Sequence, residues 1–170
     1  MSPTIVLISG ASRGLGRGLA SVYLSRPNHV VIAATRNPND APSKSLANLP
    51  KGEGSKLIIV KIDSKSESDP AAAVKEIEAQ GIDYLDIVIA NAGIAAVFPT
   101  VADLKISDIA EHTSVNTFGV VLLYQATVAL LRQSANPNPK WMTMGSSAGW
   151  LEVSAILVFL YQRLSNQPCF

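Results

Sequence analysis

The chain has 170 residues, 48% of them hydrophobic and 16% charged, with a formal net charge of +1. Such values suit one globular domain with a sizeable core and exclude a disordered chain, and near-neutrality excludes a general attraction to nucleic acid or an anionic membrane. Cys169 is the single cysteine, which excludes an internal disulfide framework or a multi-thiolate metal site and fits a reducing compartment, the cytoplasm; His29 and His112 form no metal-ligand pattern.

Five apolar runs of strand length are predicted as β-strands, at 4–9, 30–35, 57–62, 86–90 and 141–145, with helical segments between most of them. The first has no basic leader and stops at Gly10, so it reads as a strand and not a secretory signal. Unbroken apolarity predicts strands covered on both faces, and strand-helix alternation predicts a parallel sheet in an α/β fold.

Directly after the first strand the chain reads Ser9-Gly10-Ala11-Ser12-Arg13-Gly14-Leu15-Gly16, a glycine-rich turn leading into a helix. Unpartnered N–H groups at a helix start, the positive end of the dipole and close backbone approach at glycine together suit a phosphate. Arg13 and Arg17 fall near that start, where the dipole disfavours a cation; either a bound anion offsets the conflict or both side chains point into water.

The second strand ends Ala33-Ala34-Thr35-Arg36, where dinucleotide folds that select NAD place an acidic residue. Arg36, with Arg13, offers forked donors to a 2′-phosphate instead, which favours NADP; the alternative is a solvated Arg36. Residues 37–54, rich in Pro, Asn, Ser and Gly, and 136–140, with two prolines, read as loops within one domain. Asp63 follows the third strand, and Asp69-Pro70 is expected to supply an N-cap and a first-turn proline for a helix that Gly81 ends. Asn91-Ala92-Gly93 follows the fourth strand. The apolar stretch 115–132 has helical spacing and is expected either in the core or at a contact between two copies. Residues 155–161 are apolar but far short of the ~20 that a spanning helix needs, so a soluble protein is expected. Gly145-Ser146-Ser147-Ala148-Gly149 follows the fifth strand.

In this order the turn, Asp63, Asn91-Ala92-Gly93, Asn116 within Ser-Val-Asn-Thr, and Ser146 make the chain resemble the short-chain dehydrogenase/reductase family. The resemblance implies a Rossmann-type doubly wound parallel sheet of five strands, order 3-2-1-4-5, over residues 1–151. It implies a bound NADP held by Gly10, Ser12, Arg13, Gly14, Leu15, Gly16, Arg36, Asp63, Asn91, Ala92 and Gly93, with Asp63 at the adenine amino group and no metal. Ser146 would hydrogen-bond the substrate carbonyl, with Ser147 as fallback, because the family's serine stands three residues before a glycine, here Gly149. Asn116 would hold a water in a proton relay. Within the family the resemblance is to fungal ketoreductases, which implies NADPH-dependent reduction of an aromatic polyketide ketone to an alcohol. The partners are then a small-molecule ketone or alcohol, and a homo-oligomer is compatible with the apolar helix.

The family's general acid is a tyrosine a dozen or so residues beyond the serine, with a lysine four residues later. Here the thirteenth residue after Ser146 is Phe159, the nearest tyrosine is Tyr161 with Ser165 four beyond it, and no lysine follows Lys140. Residues 152–170 read as an atypical tail, and the family's remaining strands and helix are missing. The fifth strand is thus expected at a sheet edge, open to pairing, and loss of a general acid typically costs ~10² to 10⁴ in rate. The competing expectation is a truncated, catalytically inactive dinucleotide-binding or interaction module.

Overall fold

The computed structural model describes residues 2–146; Ser147, Gly149, Phe159, Tyr161, Ser165 and the expected tail at 152–170 lie outside the described residues. Five strands, β1 (Thr4–Ser9), β2 (His29–Thr35), β3 (Lys56–Lys61), β4 (Ile87–Ala90) and β5 (Lys140–Thr143), form one sheet in the order β3-β2-β1-β4-β5. Every pairing is parallel. The helices are α1 (Gly14–Leu24), α2 (Ala41–Lys44), α3 (Asp69–Glu78), α4 (Ile106–Thr113) and α5 (Gly119–Arg132).

Side chains of the central strands alternate between two cores, as a period of two requires. Ile5, Leu7, Val30 and Ile32 pack with Ile77 of α3 and with Leu123 and Leu130 of α5. Val6, Ile8, Val31 and Ala33 pack on the other face with Ala20 and Leu24 of α1. The continuous apolar runs of β1 and β2 are therefore buried on both sides, as expected. Asp86, just before β4, is a buried carboxylate that accepts the Ile5 N–H at 2.8 Å and the Ser134 hydroxyl, fastening β1 to the chain leaving α5. At the described sheet's edge β5 is short and largely exposed.

Two local readings are corrected. Residues 37–54 are not all loop: Asp40 caps α2 by accepting the Ser43 N–H at 2.8 Å, and a 3₁₀ turn, Ser45–Asn48, then drops Leu46 into the core. A single turn is too short to show periodicity, and its Pro and Ser residues also suit a loop. Asp69 is the first residue of α3 and not its cap, because its carboxylate is spent on the preceding loop. Gly81 does end the segment: at φ +84° its N–H donates to the Glu78 carbonyl, while the Ile82 N–H reaches back to Ile77 at 3.1 Å, the bond pattern of a Schellman motif. The 115–132 stretch is helical, as expected, and belongs to a longer helix. With a π turn at Ser114–Phe118, α4 and α5 run on continuously from Ile106 to Arg132.

That helix is long and apolar enough to cross a membrane by length and composition. A stripe of Gly119, Leu123, Thr127, Leu130 and Leu131 is buried against the rest of the domain. Its opposite side leaves Phe118 59%, Val121 47% and Tyr124 47% exposed. Gly119 is where the helix touches the loop after β3: a Cβ there would lie 2.7 Å from Ser64 Cβ.

Candidate functional site

Because all five strands run the same way, the residues that follow them meet at one edge, where open α/β sheets bind ligands. Gly10 follows β1, Arg36 follows β2, Asp63 comes shortly after β3, and Asn91 follows β4. Between them lies an open cleft of about 380 Å³, lined by Gly10, Ser12, Arg13, Gly14, Leu15 and Gly16 on one side. Arg36, Asp63, Asn91, Ala92 and Gly93 are among the other residues that line it. All eleven residues expected around a dinucleotide thus border one space.

The turn's geometry requires two of its glycines by close approach. Gly10 has φ +65°, and a Cβ on it would lie 2.9 Å from Ala92 Cα; a Cβ on Gly16 would lie 2.5 Å from Asn91 Nδ2. Gly14 has φ +56° with nothing within 4 Å of its Cβ position, so the chain turns tightly and leaves space beside the helix start. No side chain caps α1, and its first hydrogen bond is Arg17 N–H to the Arg13 carbonyl at 3.2 Å. The N–H groups of Gly14, Leu15 and Gly16 precede that bond and border the cleft, an arrangement suited to an anion.

Asn91 and Ser9 hold the turn in place. The Asn91 amide donates to the Ser9 carbonyl at 2.9 Å, and the backbone N–H groups of Asn91 and Ala92 both donate to Ser9 Oγ at 3.0 Å. Ser9 was not among the expected site residues. Its one signal was a hydroxyl at the end of an otherwise apolar strand, beside the turn.

The arginines separate. Arg17 donates to Ser45 Oγ at 2.9 Å, which ties α1 to the 3₁₀ turn, so it neither faces an anion nor points freely into water. Arg13 and Arg36 stay with the cleft, and so does Asp40. The Ser43 N–H, with a smaller contribution from Arg36, holds the Asp40 carboxyl below its usual range.

Asp63 is set by its own loop. Its Oδ1 accepts the Lys65 N–H at 3.0 Å, and its N–H donates to Asp69 Oδ2 at 3.0 Å. Asp69 also accepts from Ser66 Oγ at 2.8 Å and lies 3.1 Å from Lys61 Nζ. Burial pushes the Asp69 carboxyl up, but the Asp63 N–H, Ser66 and Lys61 outweigh it, and the carboxyl sits below its usual range. Farther along the rim Lys65 pairs with Glu111, whose carboxyl it lowers.

Asn116 lies in the π turn and grips the chain after β4 from both sides: Ile94 N–H donates to its Oδ1 at 2.8 Å, and its Nδ2 donates to the Ile94 carbonyl at 2.9 Å. One turn earlier His112 Nε2 accepts the Ala96 N–H at 3.1 Å, while Nδ1 lies 2.7 Å from the Asp108 carbonyl. These contacts assign the proton to Nδ1. Ser146, on the same edge, ends the described chain; Met144 N–H to the Ala90 carbonyl at 2.9 Å keeps the end of β5 beside β4. Among the described residues no three His, Cys, Asp or Glu cluster as a metal site.

The family model described as short chain dehydrogenase matches residues 4–158. The chain belongs to the short-chain dehydrogenase family. This dehydrogenase-family chain is 44% identical over 144 residues to norsolorinic acid ketoreductase of Dothistroma septosporum, an alignment covering 84% of this chain and 53% of that protein. It spans about half the length of the curated relatives it matches. Among solved structures it resembles NADPH-bound carbonyl reductase from chicken fatty liver, with a TM-score of 0.77, 24% identity, and 97% of this chain matched to 70% of that one. It also resembles an NADH-dependent reductase responsible for alginate metabolism, with a TM-score of 0.74, 18% identity, and 96% of this chain matched to 68% of that one. The shared architecture is the Rossmann-type doubly wound sheet.

Proposed function

We propose that this chain binds NADPH and, as a ketoreductase, reduces the ketone of an aromatic polyketide to an alcohol. The supporting observation is the uncapped start of α1, wrapped by Gly10, Gly14 and Gly16, with Arg13 and Arg36 on the same cleft. In this reading the N–H groups of Gly14 to Gly16 receive the pyrophosphate, Ser12 borders it, Arg13 and Arg36 pair with the 2′-phosphate, and the free edge of Asp63 accepts from the adenine amino group. Asn91, Ala92 and Gly93 flank the ribose. Bound there, NADPH would supply the hydride for the carbonyl carbon, and with no Tyr-x-x-x-Lys pair in the sequence the proton for the resulting alkoxide oxygen would come from water. Ser146 donates a hydrogen bond to the carbonyl oxygen as charge gathers there, and Asn116 fixes the backbone at Ile94 and stations a relay water. The kinship with norsolorinic acid ketoreductase supports the substrate class.

A second reading, an inactive dinucleotide-binding module, is favoured by one observation: nowhere in the 170 residues does a lysine stand four positions after a tyrosine. The two are separated by measuring NADPH fluorescence on binding alongside NADPH oxidation with acyl-substituted anthraquinones. The ketoreductase reading expects binding with slow turnover, about 10² to 10⁴ below that of an enzyme with its general acid in place. Binding without turnover leaves the module, and no binding overturns both.

A further inference from the structure

The cleft's charges are evenly matched. Arg13, Arg36 and Lys65 line it, and so do Asp40, Asp63 and Glu111. Lys65 and Glu111 neutralise each other in an ion pair, which leaves the carboxylates of Asp63 and Asp40. Asp63 follows β3, whereas Asp40 stands four residues beyond Arg36 on the segment that follows β2.

The backbone fixes this neighbour. After Arg36 the chain reverses: Asn37 Oδ1 accepts the Asn39 N–H at 3.0 Å, and the Asn37 carbonyl accepts the Asp40 N–H at 3.3 Å. This turn brings Asp40 back to the cleft wall that Arg36 occupies, and its Oδ1 is pinned at 2.8 Å to the Ser43 N–H as the cap of α2. A carboxylate held there acts on a coenzyme in two opposite ways. It repels the dianionic 2′-phosphate of NADPH and competes for Arg36, while an unphosphorylated ribose offers it hydroxyl donors.

We infer that Asp40 is a specificity-determining residue of the coenzyme cleft, whose carboxylate offsets Arg36 and narrows the preference for NADPH over NADH. The inference rests on the NADPH reading above and refines it: the site discriminates weakly by construction, and one side chain sets how weakly. Asp40 acts through charge and not through shape, because Asn caps a helix as well as Asp does.

The test is fluorescence titration of NADPH and NADH into the intact chain and into Asp40→Asn, at low and at physiological salt, with Asp40→Ser as a second capping replacement. In both variants NADPH affinity should rise about two- to fivefold at low salt, with NADH unchanged or slightly weaker and the gain shrinking as salt rises. An unchanged NADPH-to-NADH ratio, or weaker NADPH in both variants, overturns the role of Asp40 while leaving the NADPH reading intact. If the unaltered chain binds neither coenzyme, the NADPH reading itself falls and this inference with it.

Discussion

Arg36 and Arg17 are the same residue type near the same cleft, yet only one is available to a ligand. Arg17 spends its guanidinium on Ser45, 28 positions along the chain, whereas Arg36 stands on the cleft wall just past β2. Replacing Arg36 by Asp removes a forked donor and adds a repelling charge, so NADPH should weaken about tenfold or more and NADH far less, as measured by titration of both coenzymes. Equal losses would mean that Arg36 does not meet the 2′-phosphate. At this scale the sequence is only half legible. The requirement for glycine at positions 10 and 16 could be read from their place between strand and helix, but the partner of an arginine could not, since long-range side-chain pairs leave no local pattern. Ser9 was overlooked for the same reason: its two donors, the N–H groups of Asn91 and Ala92, arrive from the chain that follows β4.

Among elements, those with long apolar runs announce themselves. The run at 4–9 coincides with β1, and those of β2, β3, β4 and β5 lie within two residues of the expected ends, because a central parallel strand needs apolar side chains on both faces. Loop 62–68 and α2 were less legible, being built from capping and turn residues whose role depends on which N–H each meets. Asp69 illustrates this, fastening the loop that carries Asp63. Its folded-state carboxyl lies below the ordinary value of 3.8, so its stabilising contribution is complete above that pH and is lost as pH falls through the lower, folded value. Asp69→Asn should cost about 1 kcal/mol at pH 7, and the gap from the parent should close below pH 4. Urea midpoints across that range check this; a gap independent of pH would show that the Asp69 charge is not what holds the loop.

For the whole molecule, two cores on either side of one parallel sheet fix the position of five strand ends, and the cleft follows from that topology. Parallel pairing and layering were legible because strand-helix alternation leaves few arrangements, whereas the strand order followed from the family resemblance. The long helix was legible as apolar, but which side of it would be covered depended on how α5 met the sheet. No lysine stands four positions after a tyrosine anywhere in the sequence, so on the proposed reading coenzyme binding and turnover are to be measured separately. Calorimetric titration of NADPH into the folded chain tests the central proposition, that the turn after β1 cups a pyrophosphate. Heat that saturates at one coenzyme per chain is the expected result. No heat with either NADPH or NADH, from protein whose circular dichroism and urea transition show it folded, would contradict it.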